Sequence, residues 1–234
     1  MPGLAFLGGS FNPPHIGHFR LALEIAENFA DELSSVVFLP CAHPPHKAEN
    51  TLLPFSYRCT MLEDACFGLA KLMVSRLESE RSTLSYTWDT LELLRQAHPG
   101  VPLYFILGAD DYRQIDTWYR GPELPKRANF LVVPRGDFSL EEFREETRRI
   151  WPCASIRGET AYFQGGGIAR FQAITVPPVS ATEIRSRFLS GKNIRFLVPD
   201  AVHTFLYSHA DTVSAVWSGQ GTAPFSVNFS MQCN

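Results

Sequence analysis

Four short segments of the chain are almost continuously apolar: residues 4–7, 36–39, 103–107 and 130–133. None alternates apolar with polar positions, so each predicts a strand covered on both faces, as in a parallel sheet between helices. Between them the period lengthens. Apolar residues recur at Ile16, Phe19, Ala22, Leu23, Ala26 and Phe29, the spacing of a helix with one buried stripe. The same reading predicts helices over about 56–69, 88–97, 140–150, 181–189 and 200–207. Strands and helices in alternation predict an α/β fold, a doubly wound parallel sheet with helices on both faces and a small helical part at the C-terminal end. Ligands of such sheets sit beyond the carboxyl ends of the strands.

The remaining stretches are punctuation. Gly165-Gly166-Gly167 predicts a loop after the helix ending near Ile150, and Pro177-Pro178 ends the last core strand ahead of a helix. Residues 212–234, rich in Ser, Gly and Thr with scattered aromatics, are expected to form a tail of uncertain order behind one domain over 1–211. The chain's 234 residues suit one or two units at about 150 residues per domain. With 45% hydrophobic and 19% charged residues, a sizeable core is within reach.

Charge and cysteine content narrow the function classes. Lys and Arg total 21 against 24 Asp and Glu, a formal charge of −3, so long nucleic acids are not expected partners and any anionic ligand must be met by a local cluster. No apolar run approaches the ~18 residues of a membrane span, and no basic segment followed by a long apolar one opens the chain. The five cysteines (Cys41, Cys59, Cys66, Cys153, Cys233) are odd in number and irregularly spaced, without a Cys-x-x-Cys pair. That pattern fits a reducing, cytoplasmic setting rather than a disulfide framework or a four-thiolate zinc site. The Asn228-Phe229-Ser230 sequon is then a chance match.

The first strand runs into Gly8-Gly9-Ser10-Phe11-Asn12-Pro13-Pro14-His15-Ile16-Gly17-His18 and then a helix. Two glycines after a strand permit a tight turn and close approach of a bulky ligand. The helix start adds unpaired N–H groups and a positive dipole end. His15 and His18, three apart, share a face on a first helical turn. Together these make a polyphosphate site. A His-x-x-His pair could instead bind metal, alone or with His43 and His46, but no Asp, Glu or Cys lies near enough in sequence to complete a usual ligand set.

This string resembles the signature of the nucleotidyltransferase superfamily that shares its His-x-Gly-His motif with class I aminoacyl-tRNA synthetases. More narrowly, it resembles the bacterial nicotinate-nucleotide adenylyltransferases. A synthetase would need a far longer chain and a Lys-Met-Ser-Lys-Ser type loop, which is missing. The resemblance spans roughly residues 4–209, and implies a Rossmann-like nucleotidyltransferase domain. Two departures stand out: the stretch 136–170 is longer than the family leads one to expect, and the tail runs past the usual terminal helix.

Further segments acquire roles from the resemblance. Ser180-Ala181-Thr182-Glu183-Ile184-Arg185 reads by itself equally as a Ser-x-x-Glu capping box or as an anion site with hydroxyl and guanidinium donors. In the family, a Ser-x-Thr-x-x-Arg element grips the ATP phosphates opposite the histidines. The resemblance therefore implies catalytic roles for His15, His18 and Arg185. It places ATP against Gly8, Gly9, Ser10, Phe11, Ser180, Thr182, Gly108 and Asp110, and against His46 and Lys47 of the loop after the second strand. Tyr86 and Thr87, with Trp118 and Tyr119, are implied to hold the nicotinate ring, and Arg135 the mononucleotide phosphate.

The implied reaction is adenylyl transfer from ATP to nicotinate mononucleotide, with release of pyrophosphate. A phosphate monoester has a second pKa of about 6 and is largely dianionic near neutrality, so no general base is needed. Magnesium bridging the phosphate oxygens is the implied cofactor, with few or no protein ligands. Small molecules are the expected partners, with neither nucleic acid nor membrane, and association into a homo-oligomer stays open. Other phosphate-ester acceptors, including nicotinamide mononucleotide, and a non-catalytic nucleotide-binding module are the alternatives.

Overall fold

The structure is a computed structural model that describes residues 1–44, 51–80 and 84–220. Its frame is an eight-stranded sheet in the order β3-β2-β1-β4-β5-β8-β7-β6. The four predicted strands are β1 (Gly3–Gly9), β2 (Leu33–Pro40), β4 (Leu103–Gly108) and β5 (Asn129–Val133). They pair in parallel and form the middle of the sheet. β3 (Leu72–Val74) adds a parallel strand at one side and β8 (Ile168–Phe171) at the other. β7 (Thr160–Tyr162) and β6 (Ser155–Arg157) continue beyond β8 as antiparallel strands.

Alternate residues of the central strands divide between two apolar layers. Phe6, Val37, Phe105, Phe130 and Val132 face α3 (Thr87–Ala97) and α5 (Leu140–Ile150), meeting Leu91, Leu94 and Phe143. Ala5, Val36, Phe38, Ile106 and Leu131 face α1 (Ile16–Asn28) and α2 (Phe55–Cys66), meeting Ala22, Ile25 and Leu62. The sheet is therefore wound on both faces, as the unbroken apolar runs require. A third apolar cluster joins Met61 of α2 to α6 (Ala181–Leu189), α7 (Asp200–Ser208) and α8 (Ala210–Trp217).

Several elements depart from expectation. The long stretch 136–170 supplies α5, over the residues whose spacing predicts a helix, and adds the β6–β7 hairpin that leads into β8 and widens the sheet. Gly165-Gly166-Gly167 lies between β7 and β8, all three with positive φ, and a side chain on Gly167 would meet the Pro125 carbonyl at 2.1 Å. Thr212 to Trp217, which composition placed in the tail, belong to α8, because Val213, Val216 and Trp217 bury one stripe. Residues 221–234 lie outside the described residues.

Candidate active site

The strand order reverses between β1 and β4, where the chain turns from winding toward β3 to winding toward β8. That reversal opens a crevice beyond the carboxyl ends of the strands. Gly9 pairs with Pro40 and Gly108 with Val133, so the loops that follow all start along one edge. The glycine pair is the end of β1 and not the turn itself. Neither glycine needs a left-handed backbone. A side chain on Gly8 would crowd the Phe105 ring and one on Gly9 the Phe11 ring, at 3.0 and 3.1 Å. The left-handed residue is Phe11, with φ 46°.

His15 stands at the cap position of α1 and is 7% exposed. Its backbone N–H donates to Nδ1 of His18 at 3.1 Å. A neutral His18 ring therefore carries its proton on Nε2, the atom that can donate to a ligand. The two imidazoles stack at 3.6 Å between centroids, and Phe11 meets His18 edge-on at 4.9 Å. Burial, and second the charge of Arg135, lowers the His15 pKa to about 4. His15 is thus neutral at physiological pH, and its Nδ1 is buried with no hydrogen-bond partner among the described residues. Gly17 must be small: a side chain there would press on the His15 ring and the Pro177 carbonyl.

The later element arrives at the same place. Ser180 caps α6, its Oγ accepting the Glu183 N–H at 3.2 Å. One arm of Arg185 donates to Thr182 Oγ1 at 3.1 Å and the other to the Asn12 carbonyl at 2.8 Å. The capping and anion readings of this segment are thus compatible, since the cap aims Arg185 at the β1–α1 loop. Partial burial lowers the Arg185 pKa, yet a guanidinium starts so high that it stays charged.

Two buried residues to which the sequence reading gives no role hold the loop. Arg58 of α2 is 1% exposed and donates to the carbonyls of Ser10, Cys41 and Leu53. It thereby ties the end of β1 to the end of β2. Asn12 is also buried: its Nδ2 donates to the Thr51 carbonyl, and its Oδ1 accepts from Leu53 N and Trp217 Nε1. The Asn12 contacts span 39 to 205 residues, so no local motif announces them.

The remaining candidates form a second group. Tyr86 caps α3 and Thr87 begins it. Ser85 exchanges hydrogen bonds with His43, and buried Glu78 accepts from Ala42 N and Thr90 Oγ1, which ties this helix start to the loop after β2. Tyr119 is half exposed and its ring lies 5.1 Å from that of Tyr86, whereas Trp118 leans on the core. Gly108 caps α4 (Ala109–Arg113), and exposed Asp110 lies 4.0 Å from Arg135. His46 and Lys47 lie outside the described residues.

The cytidylyltransferase-like family profile matches residues 6–187, which takes in both the β1–α1 loop and the Ser180–Arg185 segment. The Pseudomonas putida (strain GB-1) chain named "Probable nicotinate-nucleotide adenylyltransferase" is 39% identical over 207 residues, 88% of this chain and 93% of that one. The chain belongs to the nicotinate-nucleotide adenylyltransferases. A Syntrophotalea carbinolica relative of the same name is 34% identical over 213 residues, 88% of this chain and 95% of its own. This adenylyltransferase also shares its fold with the Plasmodium falciparum nicotinic acid mononucleotide adenylyltransferase solved with NaAD. The TM-score is 0.70 at 19% identity, over 89% of this chain and 96% of that one. The same Plasmodium falciparum protein complexed with APC gives 0.69 at 18% identity, over 90% and 96% of the two chains.

Within the adenylyltransferase, the free thiols of Cys41, Cys59 and Cys66 are pushed up to about 11, 11 and 12 by burial. Such thiols are poor nucleophiles at neutral pH. Among the described residues no helix is long and apolar enough to cross a membrane.

Proposed function

We propose that the chain joins ATP and nicotinate mononucleotide, giving nicotinate adenine dinucleotide and pyrophosphate as a step of NAD biosynthesis. A phosphate oxygen of the mononucleotide attacks the α-phosphorus of ATP. The bond from that phosphorus to the bridging oxygen of the β-phosphate breaks, and its electron pair leaves with pyrophosphate. The attacking monoester is already largely dianionic, so the protein's task is alignment and charge neutralisation.

His18 donates from Nε2 to the phosphates, and neutral His15 backs it by stacking and lends a weaker polar contact. Arg185 holds the departing end from the opposite side, with Thr182 and the helix start at Ser180 beside it. His46 and Lys47 are assigned to the same end. Gly8, Gly9, Ser10 and Phe11 shape the floor, and Gly108 and Asp110 take the nucleoside part of ATP. Tyr86, Thr87, Trp118 and Tyr119 receive the nicotinate ring, with Arg135 for the mononucleotide phosphate. Among the described residues no three His, Cys, Asp or Glu side chains gather into a metal-holding group, so the donors present fit magnesium carried by the triphosphate oxygens. When bound there it offsets part of the phosphate charge.

What supports this assignment above all is the bond from Arg185 to the Asn12 carbonyl at 2.8 Å, which sets the guanidinium beside the histidine loop. The test is pyrophosphate release with ATP, magnesium and either the acid or the amide mononucleotide. Faster initial rates with the acid are expected. A strong preference for the amide would overturn the acceptor, and no release with either would overturn the reaction.

A further inference from the structure

We infer that Trp217 is a positioning residue for the loop that receives the ATP phosphates, acting through Asn12 and Phe188. The inference rests on the function proposed above, because it assigns a purpose to the loop's rigidity. Trp217 ends α8, beyond the last residue matched by the family profile. It is 6% exposed, and its indole Nε1–H donates to Asn12 Oδ1 at 3.1 Å. The same indole meets the Phe188 ring edge-on, with centroids 5.3 Å apart and planes at 85°. Phe188 lies three residues after Arg185 on α6. One side chain therefore touches both halves of the phosphate clasp.

Asn12 has no slack. Its amide nitrogen, amide oxygen and main-chain oxygen are engaged by Thr51, Leu53, Trp217 and Arg185. The preceding Phe11 is left-handed, and Arg58 holds the Ser10 carbonyl just before it. The loop is thus pinned at Ser10 from α2 and at Asn12 from α8. Removing the indole N–H leaves Asn12 Oδ1 with its Leu53 partner, so no buried acceptor is orphaned and the loss of stability is small. What is lost is a restraint on where Asn12 and Arg185 stand before ATP arrives. Preorganisation of this kind lowers the entropy cost of binding.

Trp217→Phe keeps a ring against Phe188 and deletes the donor together with the five-membered ring, so some packing in the third apolar cluster is lost beside the hydrogen bond. The expected result is an ATP KM raised about fivefold, the typical worth of one such hydrogen bond. The acceptor KM and kcat should stay close to those of the unsubstituted enzyme, while Tm falls by the lost packing alone. An unchanged ATP KM overturns the inference, as does a joint fall of Tm and of the response to both substrates. In the unsubstituted enzyme, the Trp217 indole N–H should exchange with deuterium more slowly once a non-hydrolysable ATP analogue is bound. Equal exchange with and without the analogue overturns the inference even if the variant does not fold. An unsubstituted enzyme that binds no ATP overturns the functional reading and this inference with it.

Discussion

Arg185 donates from Nη1 to the main-chain carbonyl of Asn12 at 2.8 Å, across 173 residues of sequence. Its other arm rests on Thr182 Oγ1. Both acceptors are neutral, and among the described residues no carboxylate pairs with this guanidinium. A half-buried guanidinium held by neutral acceptors against the β1–α1 loop has the chemistry to take an anion. The pairing brings together two segments that lie far apart in the sequence.

Arg185→Ala should therefore lower kcat/KM for ATP by about a hundredfold or more, the usual loss when one donor to a developing phosphate charge is removed. Arg185→Lys keeps the charge and loses the two-armed geometry, so it should recover only part of the activity. Steady-state pyrophosphate release measures both. Full activity in Arg185→Ala would remove this residue from the phosphate site.

For His18→Ala the expected loss in turnover is likewise about a hundredfold, with circular dichroism and thermal melting close to wild type. The ring is only partly buried and its Nδ1 serves the His15 backbone, so the fold has little reason to fail. Unchanged turnover at saturating ATP would contradict the role given to His18.

The acid limb of stability should carry the mark of His15. Its folded pKa of about 4 lies below the ordinary value of 6.5, so the unfolded chain takes up the proton first as pH falls. The stabilisation is complete above pH 6.5 and is lost on acidification toward pH 4, by up to about 3 kcal/mol. Urea midpoints at pH 7 and 4.5 should therefore separate less in His15→Asn than in the unsubstituted protein. Parallel pH profiles would show that His15 is not held neutral.

Arg58→Met tests how the crevice is held open. It leaves the carbonyls of Ser10, Cys41 and Leu53 without the donor that now joins them, at a cost of about 1–3 kcal/mol. Urea denaturation should register that cost, together with a raised ATP KM. Arg58→Lys should rescue little, since a single ammonium cannot reproduce the fork. An unchanged midpoint would mean the three carbonyls find other partners.

The parts of the fold legible in the sequence are those whose burial is uniform over several residues. β1, β2, β4 and β5 are central and covered on both faces, so their apolar runs are unbroken. β3, β6 and β7 have three residues each and lie toward the sheet edges, where burial is one-sided and too short to form a pattern. α8 was hidden by composition: Val213, Val216 and Trp217 carry its buried stripe among small polar residues. In the site, the β1–α1 loop and the Ser180–Arg185 segment could be read because each is contiguous. Arg58, Trp217 and the partners of Asn12 could not, because the contacts run over 5 to 205 residues and only the fold brings them together. Gly8 and Gly9 are expected from sequence to admit a ligand, and their smallness also makes room for Phe105 and Phe11.

The most direct measurement follows the label from ATP radiolabelled at its α-phosphorus, incubated with magnesium and nicotinate mononucleotide. The proposed clasp of His18 and Arg185 around one triphosphate predicts that the label enters the dinucleotide, with one pyrophosphate released for each molecule formed. Label left in ATP, or released as free adenosine monophosphate with no dinucleotide, would contradict it.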